Sequence, residues 1–167
     1  VEVTSFERMA YKVFNEVGGA TRQHMDSAGK CMLIFNIMNK LRDEFKVFAA
    51  ASNQKGFINT VSDIITELKR YDINPLEFQA AMNNLEDDDI LKDKIEDISK
   101  IFIQFEEELH KNYIDNEDDL TMLYSKIDES HMVDDAEIWI DEFSSFTPQQ
   151  YKIIEKLIKK SKKVNIT

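Results

Sequence analysis

The chain has 167 residues, of which 43% are hydrophobic and 32% are charged, enough apolar side chains for one compact domain or one domain with an insertion. Its net charge of −11 disfavours tight, nonspecific binding of nucleic acid by this chain alone, because neutralising phosphates needs a basic face. The apolar runs are too short to cross a membrane, and the single cysteine excludes an internal disulfide and a cysteine-rich metal site.

This composition fits a reducing cytoplasm, and we expect a monomer with no membrane partner. Cys31 lies on an apolar helical face, where we expect it to act as a small buried hydrophobic residue. The acidic residues are clustered, and two interpretations stay open for them: solvated helix faces and loops, or a docking surface for a basic neighbour. The clusters lie at residues 86–89, 106–108, 115–119 and 134–135.

Val1–Thr4 alternates like a β-strand, and apolar residues at helical spacing predict seven helices after it. They cover about residues 6–17, 27–45, 57–71, a short stretch from Pro75, 89–113, 117–127 and 148–160. The predicted core face of the second helix consists of Met32, Phe35, Met38 and Leu41. Residues 47–51 fit a short strand or a helix, and their alanines favour the helix.

Near the C-terminus the pattern changes to strand, helix, strand. Ile138–Ile140 is a short apolar run, as expected of a strand buried on both faces. Thr147 and Gln150 have the spacing of a capping box, with Pro148 at the first position of the last helix. A final strand follows at Lys163–Thr167, so that the two strands form a right-handed parallel crossover, and Val1–Thr4 is expected to pair beside them.

These elements predict the α/β class, with a parallel sheet of about three strands that a large all-helical insertion interrupts. The first strand and helix occupy residues 1–20, the insertion residues 21–133, and the return to the sheet residues 134–167. Because the chain starts and stops inside strands, we expect it to be a piece of a larger protein.

Asp141 and Glu142 follow the buried run directly and are the candidate catalytic residues. In nucleotide hydrolases, an Asp after a buried strand holds Mg²⁺, usually through water, and a following Glu orients the attacking water. The alternative is an acidic pair that merely ends a strand. The phosphate-binding pattern Gly-x-x-x-x-Gly-Lys-Ser/Thr is absent, and the stretch Gly29-Lys30-Cys31 lacks its first glycine and its hydroxyl. We therefore expect no tight ATP binding by this chain alone.

The segment Ile138–Phe143 with Gln150 resembles motif II of UvrD-like superfamily 1 helicases, and Val3–Ala10 resembles their motif Ia, which contacts single-stranded DNA. Three stretches together are similar to the N-terminal region of the AddB family, the B subunits of AddAB helicase–nucleases. These stretches are SFERMAYKVFNEVGG, TRQHMDSAGK and WIDEFSSFTPQQYKIIEKL, and the resemblance covers essentially the whole chain.

The resemblance implies a RecA-like core with a helical insertion, in a subunit of a complex that repairs double-strand breaks and resects DNA ends. It implies DNA and an AddA-type subunit as partners. It also implies an iron–sulfur cluster in the parent's C-terminal domain, outside this chain, and ATP and Mg²⁺ in the parent. No cofactor is expected in this chain by itself.

The resemblance also implies roles for individual residues. Thr4, Ser5, Phe6 and Arg8 are candidate DNA contacts, since hydroxyls and an arginine hold phosphates and an aromatic ring stacks on a base. Phe6 equally fits the apolar stripe of the first helix. Gln150 is a candidate for coupling to nucleotide, although its capping box is a sufficient structural role.

Ser144 and Ser145 stand where the helicase pattern has Gln and Asp, which agrees with a helicase-like region that is not a motor. Three hypotheses follow. The chain is a non-motor scaffold and DNA-channel domain without activity of its own. Alternatively, it is one half of an ATP-hydrolysing site that works in the full-length subunit, or a helical protein-interaction module.

Overall fold

The computed structural model describes residues 1–19, 23–81 and 90–167, and of Asn112 only the backbone. The helices described are α1 (Phe6–Val17), α2 (Ser27–Lys40), α3 (Lys55–Arg70), α4 (Pro75–Ala80), α5 (Ile90–Asn112), α6 (Asn116–Lys126) and α7 (Pro148–Lys160). The strands described are β1 (Gln23–His24), β2 (Tyr113–Ile114), β3 (Glu137–Ile140) and β4 (Lys163–Ile166). Across these ranges no helix is long and apolar enough to span a bilayer.

The chain divides into two compact units. Val1–Arg22 and Asn116–Thr167 form one of them, which we call the core unit, and Gln23–Asp115 forms the other, the helical unit. The helical unit is shorter than the insertion expected over residues 21–133. The sixth predicted helix, α6, lies in the core unit, because it packs against α1 and α7.

In the core unit, β3 and β4 run parallel, with Ile138 opposite Val164 and Ile140 opposite Ile166, and α7 connects them along the chain. This confirms the predicted strand–helix–strand order. Ser5 caps α1 and Thr147 caps α7, so both helices begin where the sequence predicts. The buried apolar side chains of this unit come from α1, α6, α7, β3 and the turns beside them: Phe6, Met9, Ala10, Val13, Phe14, Leu120, Leu123, Ile127, Val133, Ile140, Ile153, Ile154 and Leu157.

Two predictions for this sheet are wrong in the structure. Residues 1–5 contain no strand, and Trp139 is 66% exposed although the apolar run Ile138–Ile140 predicts burial on both faces. Side chains alternate along a strand, so Ile138 and Ile140 meet the helices while Trp139 points to the opposite face. Within the described residues β3 pairs only with β4. An α/β class is compatible with this sheet, but a third strand is not seen.

In the helical unit, α2, α3 and α5 enclose a second core, and β1 pairs in parallel with β2. Its buried side chains are Ile34, Ile37, Met38, Leu41, Phe45, Ile58, Val61, Ile65, Ile98, Ile101, Phe102, Phe105 and Leu109. The helix predicted to run to residue 45 ends at Lys40, followed by a 3-10 turn at Arg42–Glu44.

The predicted inner face of α2 is half wrong. Met38 and Leu41 are buried, but Met32 and Phe35 are 67% and 38% exposed. Ile34 and Ile37 take the inner positions instead. Both sets of residues have helical spacing because α2 is apolar on nearly every side, so periodicity could not select the buried face. Cys31, expected to be buried, is half-buried, with its Sγ 3.6 Å from Oδ1 of Asn59.

Residues 47–51, for which the sequence favours a helix over a strand, form neither. They lie in a series of turns that one buried carboxylate organises. The backbone amides of Lys46, Val47 and Phe48 donate to the oxygens of Asp97 at 3.0, 2.8 and 3.1 Å. Asp97 is fully buried on α5. Three amides thus compensate the desolvation of its charge, and they hold this turn against α5.

A buried ionic cluster joins three helices of this unit to its last residue. Lys69 on α3 donates to Asp115 at 2.9 Å and to Glu106 of α5 at 3.0 Å. Lys30 on α2 donates to Thr66 at 2.7 Å and lies 3.5 Å from Asp115. Because Asp115 directly follows β2, the cluster fixes the point where the chain leaves the helical unit.

Candidate functional site

Asp141 and Glu142 lie at the carboxyl end of β3, where the parallel strand β4 also ends. The hydroxyl of Thr167 donates to Oδ1 of Asp141 at 2.8 Å, and the backbone amide of Glu142 donates to the same oxygen at 2.7 Å. The first residue after each strand therefore contributes to one small polar site at this edge of the sheet.

These two donors stabilise the ionised form of Asp141. The hydroxyl of Thr167 and, after it, the amide of Glu142 lower the pKa of Asp141 below its ordinary value, because both hydrogen bonds favour the ionised form. Asp141 is therefore a carboxylate at neutral pH. Glu142 has a φ of +65°, a left-handed conformation that costs a non-glycine residue about 1–2 kcal/mol. Its side chain is exposed.

The donor set fits a cation that is held through water. Within the described residues, Oδ1 of Asp141 accepts both hydrogen bonds and Oδ2 accepts none, so Oδ2 is available to a water ligand of Mg²⁺, and Glu142 adds a second carboxylate. Backbone amides that could cradle phosphates are not supplied by a glycine-rich loop in this sequence. The site can hold a hydrated cation and orient water, but it has no phosphate-binding half of its own.

A cleft of about 890 Å³ lies between residues 1–5 and β3, entirely within the core unit. Thr4, Ser5 and Phe6 line one side of it, and Asp141 and Glu142 line another. The structure therefore brings three of the four predicted DNA contacts to the same cleft as the predicted catalytic pair. Two predicted site residues, Arg8 and Gln150, do not line this cleft.

The predicted DNA contacts differ in how far each side chain is exposed and already bonded within the protein. Ser5 accepts from the amide of Arg8 at 3.3 Å and so caps α1, while Arg8 itself is exposed. Phe6 is buried in the core, which confirms the packing interpretation of that residue. Gln150 uses its Oε1 in the capping box, where the amide of Thr147 donates to it at 2.9 Å.

Aromatic residues beside the acidic pair were missed from the sequence. The ring of Phe6 meets that of Phe143 edge-on at 5.7 Å between centroids. Phe143 lies 5.1 Å from Phe146, which lies 5.5 Å from Tyr151. Phe143 and Tyr151 are substantially exposed. The available signal was the three aromatic residues within nine positions after Glu142; of these, Phe146 packs against the core, and Phe143 and Tyr151 stay exposed.

Comparison with known proteins identifies the family of this chain. A family model described as "ADDB, N-terminal" matches residues 1–167. The chain is 68% identical over 167 residues to the B subunit of the ATP-dependent helicase/deoxyribonuclease of Clostridium novyi (strain NT), covering 100% of this chain and 15% of that protein. It is 57% identical over 168 residues to the protein of the same description from Clostridium botulinum (strain Loch Maree / Type A3), covering 99% of this chain and 14% of that protein. The chain thus spans about 15% of the length of the curated relatives that it matches.

Proposed function

This chain belongs to the ADDB N-terminal family, and on that premise we propose that it forms a DNA-contacting, non-motor part of a helicase–nuclease subunit. The process it serves is the repair of double-strand breaks and the resection of DNA ends. In the assembled subunit, β3 and β4 belong to a RecA-like parallel sheet. DNA and a second subunit of the same complex are the proposed partners.

The observation that carries this proposal is the shared cleft. Thr4 and Ser5 bring hydroxyls to it, and Phe143 brings a partly exposed ring. Hydroxyls hold phosphates and exposed rings stack on unpaired bases, two of the contacts by which proteins hold single-stranded DNA without reading its sequence. Arg8, exposed on the first turn of α1, adds a positive charge close to Ser5.

Two features support a passive role. Oδ1 of Asp141 accepts from the hydroxyl of Thr167 and from the amide of Glu142, so this carboxylate already serves to hold the ends of β3 and β4 together. Ser144 and Ser145 follow the acidic pair, and neither side chain has the reach of the Gln and Asp that the helicase pattern places there. The acidic pair in this arrangement stabilises the end of the sheet rather than driving movement.

The test uses the longer subunit that carries this chain, purified as its complex, and an oligodeoxythymidine probe. We expect Phe143→Ala to weaken binding of the probe about 5- to 150-fold, the range for loss of one stacked base. Arg8→Ala is expected to weaken binding and to reduce the slope of log affinity against log salt by about 0.7. Tyr71→Ala, an exposed aromatic of the helical unit, is the control and should change nothing. Unchanged affinity in both variants would refute DNA contact at this cleft.

An ATP-hydrolysing half-site is the second candidate, favoured by the position of Asp141 and Glu142 at the carboxyl end of a parallel strand. If it operates in the full-length subunit, Glu142→Gln abolishes most ATP hydrolysis, because the group that orients water is lost. The measurement compares the two hydrolysis rates in a complex whose other subunit carries an inactivated ATP site. Equal rates would exclude this candidate and leave the passive role.

A further inference from the structure

The outward side of α2 is an uncharged surface in a chain where 32% of the residues are charged. Ala28, Met32, Phe35, Asn36 and Asn39 are exposed along three turns, and we call them the α2 outer face. Between Ser27 and Asn39, Lys30 is the one charged residue of α2, and it is buried in the ionic cluster. Because α2 is apolar on its outer side as well as its inner side, its outer apolar surface is in contact with solvent unless another protein element covers it.

The composition of this face is that of a protein interface. Met and Phe are enriched and charged residues are depleted at the centres of protein–protein interfaces, while polar residues such as Asn stand at the rim. Met32 is 67% exposed, whereas Met38, on the same helix, is fully buried. The exposed methionine therefore contributes nothing to the core that α2 already builds with α3 and α5.

The charge around the face indicates what covers it. The described residues of the helical unit, 23–81 and 90–115, include 14 acidic and 11 basic residues, a net charge of −3. Lys40, at the end of α2, is held by Gln104, which in turn donates to Glu107 on α5. On the α3 side, the exposed Asp63 follows one turn after Asn59, the neighbour of Cys31.

This charge decides between the classes of partner. The face itself has no basic side chain that could hold phosphates, and a second copy would bring the same acidic residues, Asp63 and Glu107, to its edges. A helix with an apolar stripe and basic residues at its edges matches both the apolar residues of this face and the acidic residues beside it. Amphipathic helices dock on such faces through residues one turn apart.

We infer that the α2 outer face is the docking surface for a basic-edged amphipathic helix of another subunit of the same complex. This inference rests on the proposed function, which supplies the complex. It assigns Met32 and Phe35 as the central apolar contacts and Glu107 and Asp63 as charged residues at the edge. Lys30 and Lys69 keep α2 in position from its buried side, because the ionic cluster that they form holds α2 and α3 against α5.

The first test uses analytical ultracentrifugation to measure how tightly the longer subunit associates with its partner. The double variant Met32→Glu, Phe35→Glu is expected to weaken association at least tenfold. Glu107→Lys is expected to weaken it less and to reduce its dependence on salt. Leu76→Glu, which adds a carboxylate at a 71% exposed apolar position of α4, is the matched control and should associate like the wild type. Equal thermal unfolding of all variants excludes misfolding as the cause of a loss.

The second test needs no substitution. Dilute hydrogen peroxide oxidises exposed methionines, and mass spectrometry reads the modification at each one. In the free subunit Met32 should oxidise and Met38 should not; in the complex Met32 should be protected at least fivefold. Oxidation of Met32 at the same rate in both states would overturn the inference.

The outcomes separate this inference from the proposed function. If the wild type associates and the double variant associates equally well, the α2 outer face is not the docking surface, while DNA binding at the cleft is untouched. If Phe143→Ala leaves DNA binding unchanged but the double variant dissociates, the docking surface stands without the DNA role. If the double variant instead converts a self-associated subunit into a monomer, the face joins two copies and the inference is wrong.

Discussion

The hydroxyl of Thr167 donates to Oδ1 of Asp141 at 2.8 Å, joining the ends of two parallel strands that are 26 positions apart in the sequence. The bond fixes the orientation of the Asp141 carboxylate and lowers its pKa. The ordinary role of such a contact is to hold a sheet edge together; in a nucleotide-hydrolysing site it would also fix the carboxylate that holds the metal.

Replacing Thr167 by Val removes the largest cause of the lowered pKa of Asp141, so that pKa should rise towards its ordinary value of about 4. Because the folded-state pKa lies below the unfolded one, the bond stabilises the fold at neutral pH and ceases to do so as pH falls through the folded-state pKa. Carbon NMR titration of the Asp141 carboxyl measures the shift. Thr167→Ser keeps the hydroxyl and should keep the lowered pKa; a normal pKa in the wild type would contradict the prediction.

Asp97→Ala should destabilise the chain by about 3 kcal/mol, because three backbone amides lose a buried, charged acceptor. Urea unfolding gives the change in the free energy of unfolding, and hydrogen exchange should show the amides of residues 46–48 opening first. Asp93→Ala removes an exposed partner of Lys46 and should cost under about 1 kcal/mol. An equal loss of unfolding free energy in the two variants would mean that the burial of Asp97 does not increase its contribution to stability.

Lys69→Met should cost about 3–5 kcal/mol, since Asp115 and Glu106 would lose the ammonium group that contacts both of them in a buried cluster. Lys159→Met removes an exposed lysine that pairs with Glu155 one turn away, and its effect on stability should be far smaller, because solvent screens this pair. Thermal unfolding of both variants beside the wild type measures the difference. A cost for Lys69→Met as small as that for Lys159→Met would show that the cluster does not hold the helical unit together.

Thr147→Ala should destabilise the chain by about 1 kcal/mol through loss of the helix cap, and Gln150→Ala should do so by a smaller amount. Gln150→Glu should leave stability nearly unchanged, because glutamate fills the same position of a capping box. Urea unfolding of the three variants checks this order. If Gln150→Glu is stable but alters nucleotide-dependent activity of the full subunit, Gln150 has a role beyond its cap.

The sequence by itself determined the local structure. Thr147 caps α7 where its spacing with Gln150 predicts, because a cap depends on hydrogen bonds between residues two or three positions apart, and Ser5 caps α1 through a bond of the same range. The strand before Asp141 and the parallel return to Lys163–Ile166 follow from apolar runs and one helical period. The family resemblance, carried by contiguous motifs, was likewise readable before any coordinates.

Only the tertiary structure decided which apolar side chains meet a neighbour. Met32 and Ile34 are equally suited to a core, but the packing of α2 on α3 and α5 buries Ile34 and leaves Met32 exposed. Trp139 is exposed because, in the part of the chain described, β3 has a helix layer on one face alone. The bond between Asp141 and Thr167 and the cleft beside β3 arise from residues far apart in the chain, whose meeting depends on packing that no local pattern encodes.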